Sequence, residues 1–174
     1  LLKHVDRPWL SIHPQDARAL QVGGGELVKA EAACAGDTEV ILPVKIDNKQ
    51  RRGEVFAPFH WSATWGSHAR VGALLNGVND ALSGQPELKH GAIKLSPVKM
   101  QSYGIIFGEE SLVQRLQKAA YYYLKMPTPV AQSIDVADPR MPQEVLSDIL
   151  PCLPRDAQWA TMQGPDQLSV VVTR

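Results

Sequence analysis

Between Phe59 and Lys89 the chain collects side chains well suited to gripping a flat, polar small molecule. Phe59-His60-Trp61 offers aromatic faces, Asn76, Asn79 and Gln85 offer amides, Ser83 offers a hydroxyl, and Lys89 offers a cation. Amides donate and accept, which matches the edge of a heterocycle, and a lysine offsets phosphate charge. The group therefore suits a planar heterocycle with a phosphate tail. The same residues have a plainer use, because Asn and Gly make turns and Trp fills core. Composition leaves both readings open.

No self-sufficient catalytic motif accompanies them. The sequence holds no G-x-S-x-G elbow, no H-E-x-x-H, no P-loop and no G-x-G-x-x-G opening a helix. Gly23-Gly24-Gly25 follows a helix and enters a strand, whereas a phosphate cradle leads into a helix N-terminus. His60 and His68 have no Cys or carboxylate at ligand spacing, so no metal residue is assigned. Cys34 and Cys152 form no C-x-x-C pair and read as reduced thiols. Glu109-Glu110 is explained as the acidic start of a helix. No catalytic residue is assigned within this chain.

The elements that must position the polar segment are mostly strands. Trp9–Ile12 is a short apolar strand, and His13–Leu20 reads as one helix with Pro14 in its first turn. The three glycines then let the backbone turn back into a strand. Glu26–Ala32 alternates polar and apolar, 35–38 is a hairpin connection, and Glu39–Ile46 returns with Val40, Leu42, Val44 and Ile46 on one face. Glu54–Pro58 and Ala92–Leu95 are further strands. This order suits a small β-barrel better than a doubly wound sheet. His60–Lys89 has no clear periodicity, and so long an irregular stretch in a compact domain is usually functional.

A boundary is expected at Ser96-Pro97, giving domains 1–96 and 97–174, the second a small α+β segment. It contains a strand at Tyr103–Phe107, an amphipathic helix from Glu109 to Leu124, a short helix from Pro142 and a strand at Leu168–Val172. The chain has 174 residues, 44% hydrophobic and 21% charged, with eighteen basic residues balancing eighteen acidic ones. That balance gives no electrostatic reason to expect a nucleic-acid partner. No apolar run approaches the ~20 residues that span a bilayer, so no membrane partner is expected. A start at Leu1 and a strand reaching the last residues suggest an excised piece of a longer protein.

The ordered set Ile12-His13-Pro14-Gln15-Asp16-Ala17, the glycine turn into Glu26-Leu27-Val28, Gly53-Glu54-Val55-Phe56-Ala57-Pro58-Phe59-His60-Trp61 and Ser83-Gly84-Gln85-Pro86-Glu87-Leu88-Lys89 carries a family resemblance. It resembles the C-terminal molybdopterin-dinucleotide-binding domain of the dimethyl-sulfoxide-reductase superfamily, in the form found in bacterial assimilatory nitrate reductases. Formate dehydrogenases carry similar versions.

The resemblance covers roughly residues 1–96. It implies a six-stranded double-psi β-barrel covering a molybdopterin guanine dinucleotide, in the bis form in the parent enzyme. His60, Trp61, Gly72, Asn76, Gln85 and Lys89 would face that cofactor. At 72 the family commonly has Asn, and at 81 it commonly has Pro where this chain has Ala81 after Asp80. Losing an amide at 72 puts a pterin contact in question, with backbone groups left to serve.

Molybdenum and an iron–sulfur cluster would be bound by domains outside this sequence, and the fragment itself would not turn over. By the same resemblance the parent is a cytoplasmic oxidoreductase of nitrate assimilation. Its partners are the N-terminal domains of the same polypeptide and an electron-donor protein or subunit. The competing readings are a related molybdenum enzyme acting on formate and, in another class, a non-catalytic β-barrel interaction module.

Overall fold

The structure is a computed structural model that describes residues 7–33, 39–75, 77–86, 90–127, 132–163 and 168–173. The hairpin connection expected at 35–38 lies outside them. The chain divides into two compact units, Leu1–Lys99 and Met100–Arg174.

The first unit contains β1 (Leu10–Ile12), α1 (Pro14–Leu20), β2 (Leu27–Ala32), β3 (Glu39–Ile46), β4 (Val55–Phe56) and β5 (Ile93–Pro97). The helix α1 starts where His13 stays extended and its Nδ1 accepts the Gln15 N–H at 3.1 Å. Pro14 follows in the first helical turn, where a missing N–H costs nothing. The helix ends at Gln21, whose φ of 57° puts a side-chain-bearing residue in the left-handed region, two positions before the glycine run. Asp16 ties α1 to the following turn by accepting the Gly53 N–H at 2.7 Å.

The strands form one curled sheet in the order β4-β1-β3-β2-β5. β1 runs parallel to β3, with Leu10 opposite Val44, and every other pairing is antiparallel. Leu10, Ile12, Ala17, Val28, Ala30, Val40, Leu42 and Val44 make the centre of the core. Each large aliphatic among them contributes about 1.5–3 kcal/mol by leaving water.

The expected one-sided pattern of β3 holds for Val40, Leu42 and Val44 but not throughout. Ile41 is fully buried on the other face, its N–H bonded to the His68 carbonyl, and Ile46 is 44% exposed where the strand runs out into the Asp47 turn. A strand between two others, covered on both sides, does not show clean alternation.

The second unit contains β6 (Ser102–Gly108), α2 (Glu110–Leu116), β7 (Tyr122–Pro127), β8 (Gln132–Asp138), α3 (Pro142–Ile149), β9 (Gln158–Gln163) and β10 (Leu168–Thr173). One sheet has the order β6-β8-β7, and β9 pairs with β10 as a separate antiparallel ribbon. The helix expected to reach Leu124 stops at Leu116, and a tight turn at Gln117–Ala119 follows it. Tyr122 and Leu124 instead alternate into the interior of a strand, which suits a run of tyrosines better than a helix does.

Asp138, at the end of β8, joins several elements of this unit. It is 2% exposed and accepts the Tyr121 N–H at 3.0 Å and the Arg140 Nε–H at 2.8 Å. Arg140 also donates to the Ala119 carbonyl at 3.0 Å and to the Asp148 carboxylate on α3. The Arg140 guanidinium holds the Asp138 carboxyl down at about 2, against the upward push of burial.

Candidate functional site

β4 and β5 are the two outermost strands of the first unit's sheet. The irregular segment 57–92 therefore leaves one edge of that sheet and returns at the other.

Its first half is anchored. Trp61 is 7% exposed and stands edge-on to Trp65, with ring centroids 5.8 Å apart. The Ile41 N–H donates to the His68 carbonyl at 3.0 Å, fixing the segment against the middle of β3. His68 Nε2 lies 3.5 Å from Glu39 Oε1, and the Ser67 hydroxyl is 2.9 Å from Nδ1 of the same ring. Val71 and Leu74 sit in a tight turn and insert into the core.

Its second half is held differently. All of residues 77–86 are exposed, with Leu82 at 99%, so no apolar burial fixes their shape. Asn79 bridges to Pro86, the Asp80 N–H donates to the Gln85 carbonyl at 2.9 Å, and the Gly84 N–H donates to the Asp80 carbonyl at 2.9 Å. Gly84 has φ +66°, which a side chain would strain.

Asp80 Oδ1 accepts the Leu82 N–H at 3.0 Å, the Ser83 N–H at 2.7 Å and the Ser83 hydroxyl at 2.9 Å. The Ser83 N–H, then its hydroxyl, then the Leu82 N–H hold this carboxyl below the usual carboxylate value. The halves meet at Gly91, where a Cβ would stand 3.3 Å from the Leu74 carbonyl oxygen.

The expected residues fall in different places. His60 is exposed beside Phe59, with ring centroids 4.3 Å apart. Trp61 is turned inward, so its indole acts as an anchor of the segment. Gly72 is exposed in the tight turn, and a Cβ there would meet nothing within 4 Å. Gln85 is exposed at the base of the second half, its N–H 3.3 Å from the Ser83 hydroxyl. Asn76 and Lys89 lie outside the described residues. Among the described residues no cluster of three His, Cys, Asp or Glu could hold a metal.

Two contributors escaped the sequence reading. The Glu39–His68 contact joins residues too far apart in sequence to leave a local signal. Asp80 did leave one, since an Asp in a polar turn segment can accept the N–H two residues on, as it does from Leu82.

Gly72, Gln85, His60 and residues 77–86 are all exposed on this segment, with open space where a side chain at Gly72 would stand. Long polar loops displayed on a β-rich scaffold disproportionately carry binding residues. Residues 1–93 match the family described as the molydopterin dinucleotide binding domain, and the chain belongs to it.

It is 32% identical over 96 residues to a nitrate reductase of Klebsiella oxytoca, a match covering 55% of this chain and 11% of that protein. It is 31% identical over 98 residues to the F420-dependent formate dehydrogenase subunit alpha of Methanocaldococcus jannaschii, covering 56% and 13%. A nitrate reductase of Synechocystis sp. is 37% identical over 57 residues, covering 33% and 8%. The chain thus spans only about an eighth or less of the length of these relatives.

Proposed function

We propose that this chain is the cofactor-covering domain of a molybdenum-dependent nitrate reductase, and that its first unit belongs to a six-stranded double-psi β-barrel. The observation that carries the reading is the family match over residues 1–93, joined to nitrate reductase relatives from two organisms. The group to be held is molybdopterin guanine dinucleotide, and molybdenum and an iron–sulfur cluster belong to other parts of the parent polypeptide. When bound, the cofactor would supply the two-electron redox chemistry that nitrate reduction needs.

This chain's own residues bind and orient. His60 and Gln85 offer ring and amide hydrogen bonds, the backbone at Gly72 stands open to close approach, and Trp61 and Trp65 keep the segment on the sheet. Asn76 and Lys89 complete the expected donor set. The partners are the preceding domains of the same polypeptide and an electron donor, in the cytoplasm. Among the described residues no helix is long and apolar enough to cross a membrane.

A second reading, formate oxidation, is favoured by the formate dehydrogenase relative at nearly the same identity and coverage as the first nitrate reductase. The full-length polypeptide that carries this chain, purified and assayed for pterin, molybdenum, nitrate reduction and formate oxidation, separates them. Nitrate reduction with bound pterin is expected. Formate oxidation transfers the chain to the second reading, and a protein without pterin overturns both and leaves an interaction module.

A further inference from the structure

We propose that Asp80 is a positioning residue for the cofactor-facing loop, shaping Ser83–Pro86 so that Gln85 is presented in one conformation. The inference rests on the cofactor-binding reading above.

Residues 77–86 are exposed throughout, so this loop receives no shape from burial. A proline at 81 would pre-set one backbone angle, but the chain has Ala81 there. What remains is hydrogen bonding, and it converges on one atom. Asp80 Oδ1 takes three donors, from Leu82 and twice from Ser83, at 2.7–3.0 Å. The Ser83 hydroxyl, oriented by that bond, faces the Gln85 N–H at 3.3 Å. The Asp80 main chain closes the ring by accepting the Gly84 N–H and donating to the Gln85 carbonyl.

A charged acceptor makes shorter and stronger bonds than a neutral one, which suits a brace exposed to competing water. The loop is thus fixed before any ligand arrives, and a ligand that uses Gln85 does not have to order it. Removing the carboxylate returns that ordering cost to the binding step, about tenfold in affinity for one or two freed side chains.

The test uses the full-length polypeptide as wild type, Asp80→Ala, Asp80→Asn and Asp47→Ala. Asp47 accepts the Lys49 N–H at 2.9 Å in a similar exposed turn away from this loop, so it controls for loss of a turn in general. Molybdopterin guanine dinucleotide retained per protein after dilution and gel filtration is read by fluorescence of the oxidised pterin. Hydrogen exchange at residues 82–85 and the thermal midpoint are read beside it.

The expected result is about tenfold faster pterin loss and faster exchange in Asp80→Ala. Asp80→Asn, which keeps a neutral acceptor oxygen, should return part of both, Asp47→Ala should match wild type, and the midpoints should stay alike. Wild-type retention in Asp80→Ala overturns the positioning role and leaves the proposed function standing. Failure of Asp80→Asn to recover, or an equal loss in Asp47→Ala, overturns it as well. A wild-type protein with no pterin overturns the proposed function itself.

Discussion

The indole of Trp61 meets that of Trp65 edge-on, at 84° between planes, with 7% of Trp61 left to solvent. A ring so placed contributes by packing, at the point where the long segment leaves the sheet. Trp61→Ala is expected to destabilise the first unit by about 3–5 kcal/mol, and Trp61→Phe by less. His60→Ala, at an exposed position, should stay within about 0.5 kcal/mol. Urea unfolding of the chain, followed by hydrogen exchange at the β3 amides, checks both.

That contrast shows where sequence reading reached. His60 and Trp61 looked equivalent as aromatic neighbours, because adjacency says nothing about which side of a loop faces the core. The β-rich class, α1 and β3 were legible because Pro14, the glycine run and the apolar spacing of Val40, Leu42 and Val44 are local signals. The end of α2 was not. Apolar residues at three- and four-residue spacing continue to Leu124, and only antiparallel pairing with β8, the next strand along the chain, makes Tyr122–Pro127 a strand. β10 likewise reads as lacking a partner until β9, polar except for Trp159, Ala160 and Met162, pairs with it.

Gly72 and Gly91 should respond oppositely to a side chain. Space is open at Gly72, so Gly72→Asn, which restores the amide common in the family, should change stability by no more than about 0.5 kcal/mol. In the full-length polypeptide it should also slow pterin loss. Gly91→Val forces a Cβ toward the Leu74 carbonyl and should cost about 1–3 kcal/mol. Thermal midpoints of the two variants, measured side by side, decide the matter.

Asp16 holds the Gly53 N–H at 2.7 Å and stands in the first turn of α1. Asp16→Ala removes both the acceptor and the favourable charge near the helix start, with an expected cost of about 1–2 kcal/mol. Asp16→Asn should lose less. Chemical denaturation of the chain gives the comparison.

Acid should weaken the second unit through Asp138. Its folded value of about 2 lies below the ordinary 3.8, so ionised Asp138 stabilises the fold above pH 4. That stabilisation, on the order of 2 kcal/mol, fades as pH falls from 4 through 2. Exchange protection of the β8 amides between pH 5 and 2 should follow this course, and Asp138→Asn should flatten it. Arg140→Met leaves a buried charge without its guanidinium and should cost about 3–5 kcal/mol. An unchanged acid profile in Asp138→Asn would assign the effect to other groups.

The segment 57–92 is also a tether between the two outer strands of its sheet. A single protease nick within the exposed stretch 77–86 removes the covalent link between β4 and β5 while leaving the five-pair ladder of β5 on β2 intact. The two peptides then stay together by that ladder and by Ile93 and Leu95, which pack against the core of the first peptide. A molecule grasped by both halves of the segment takes over the severed link. Its residence time then becomes the clock on which the nicked protein comes apart.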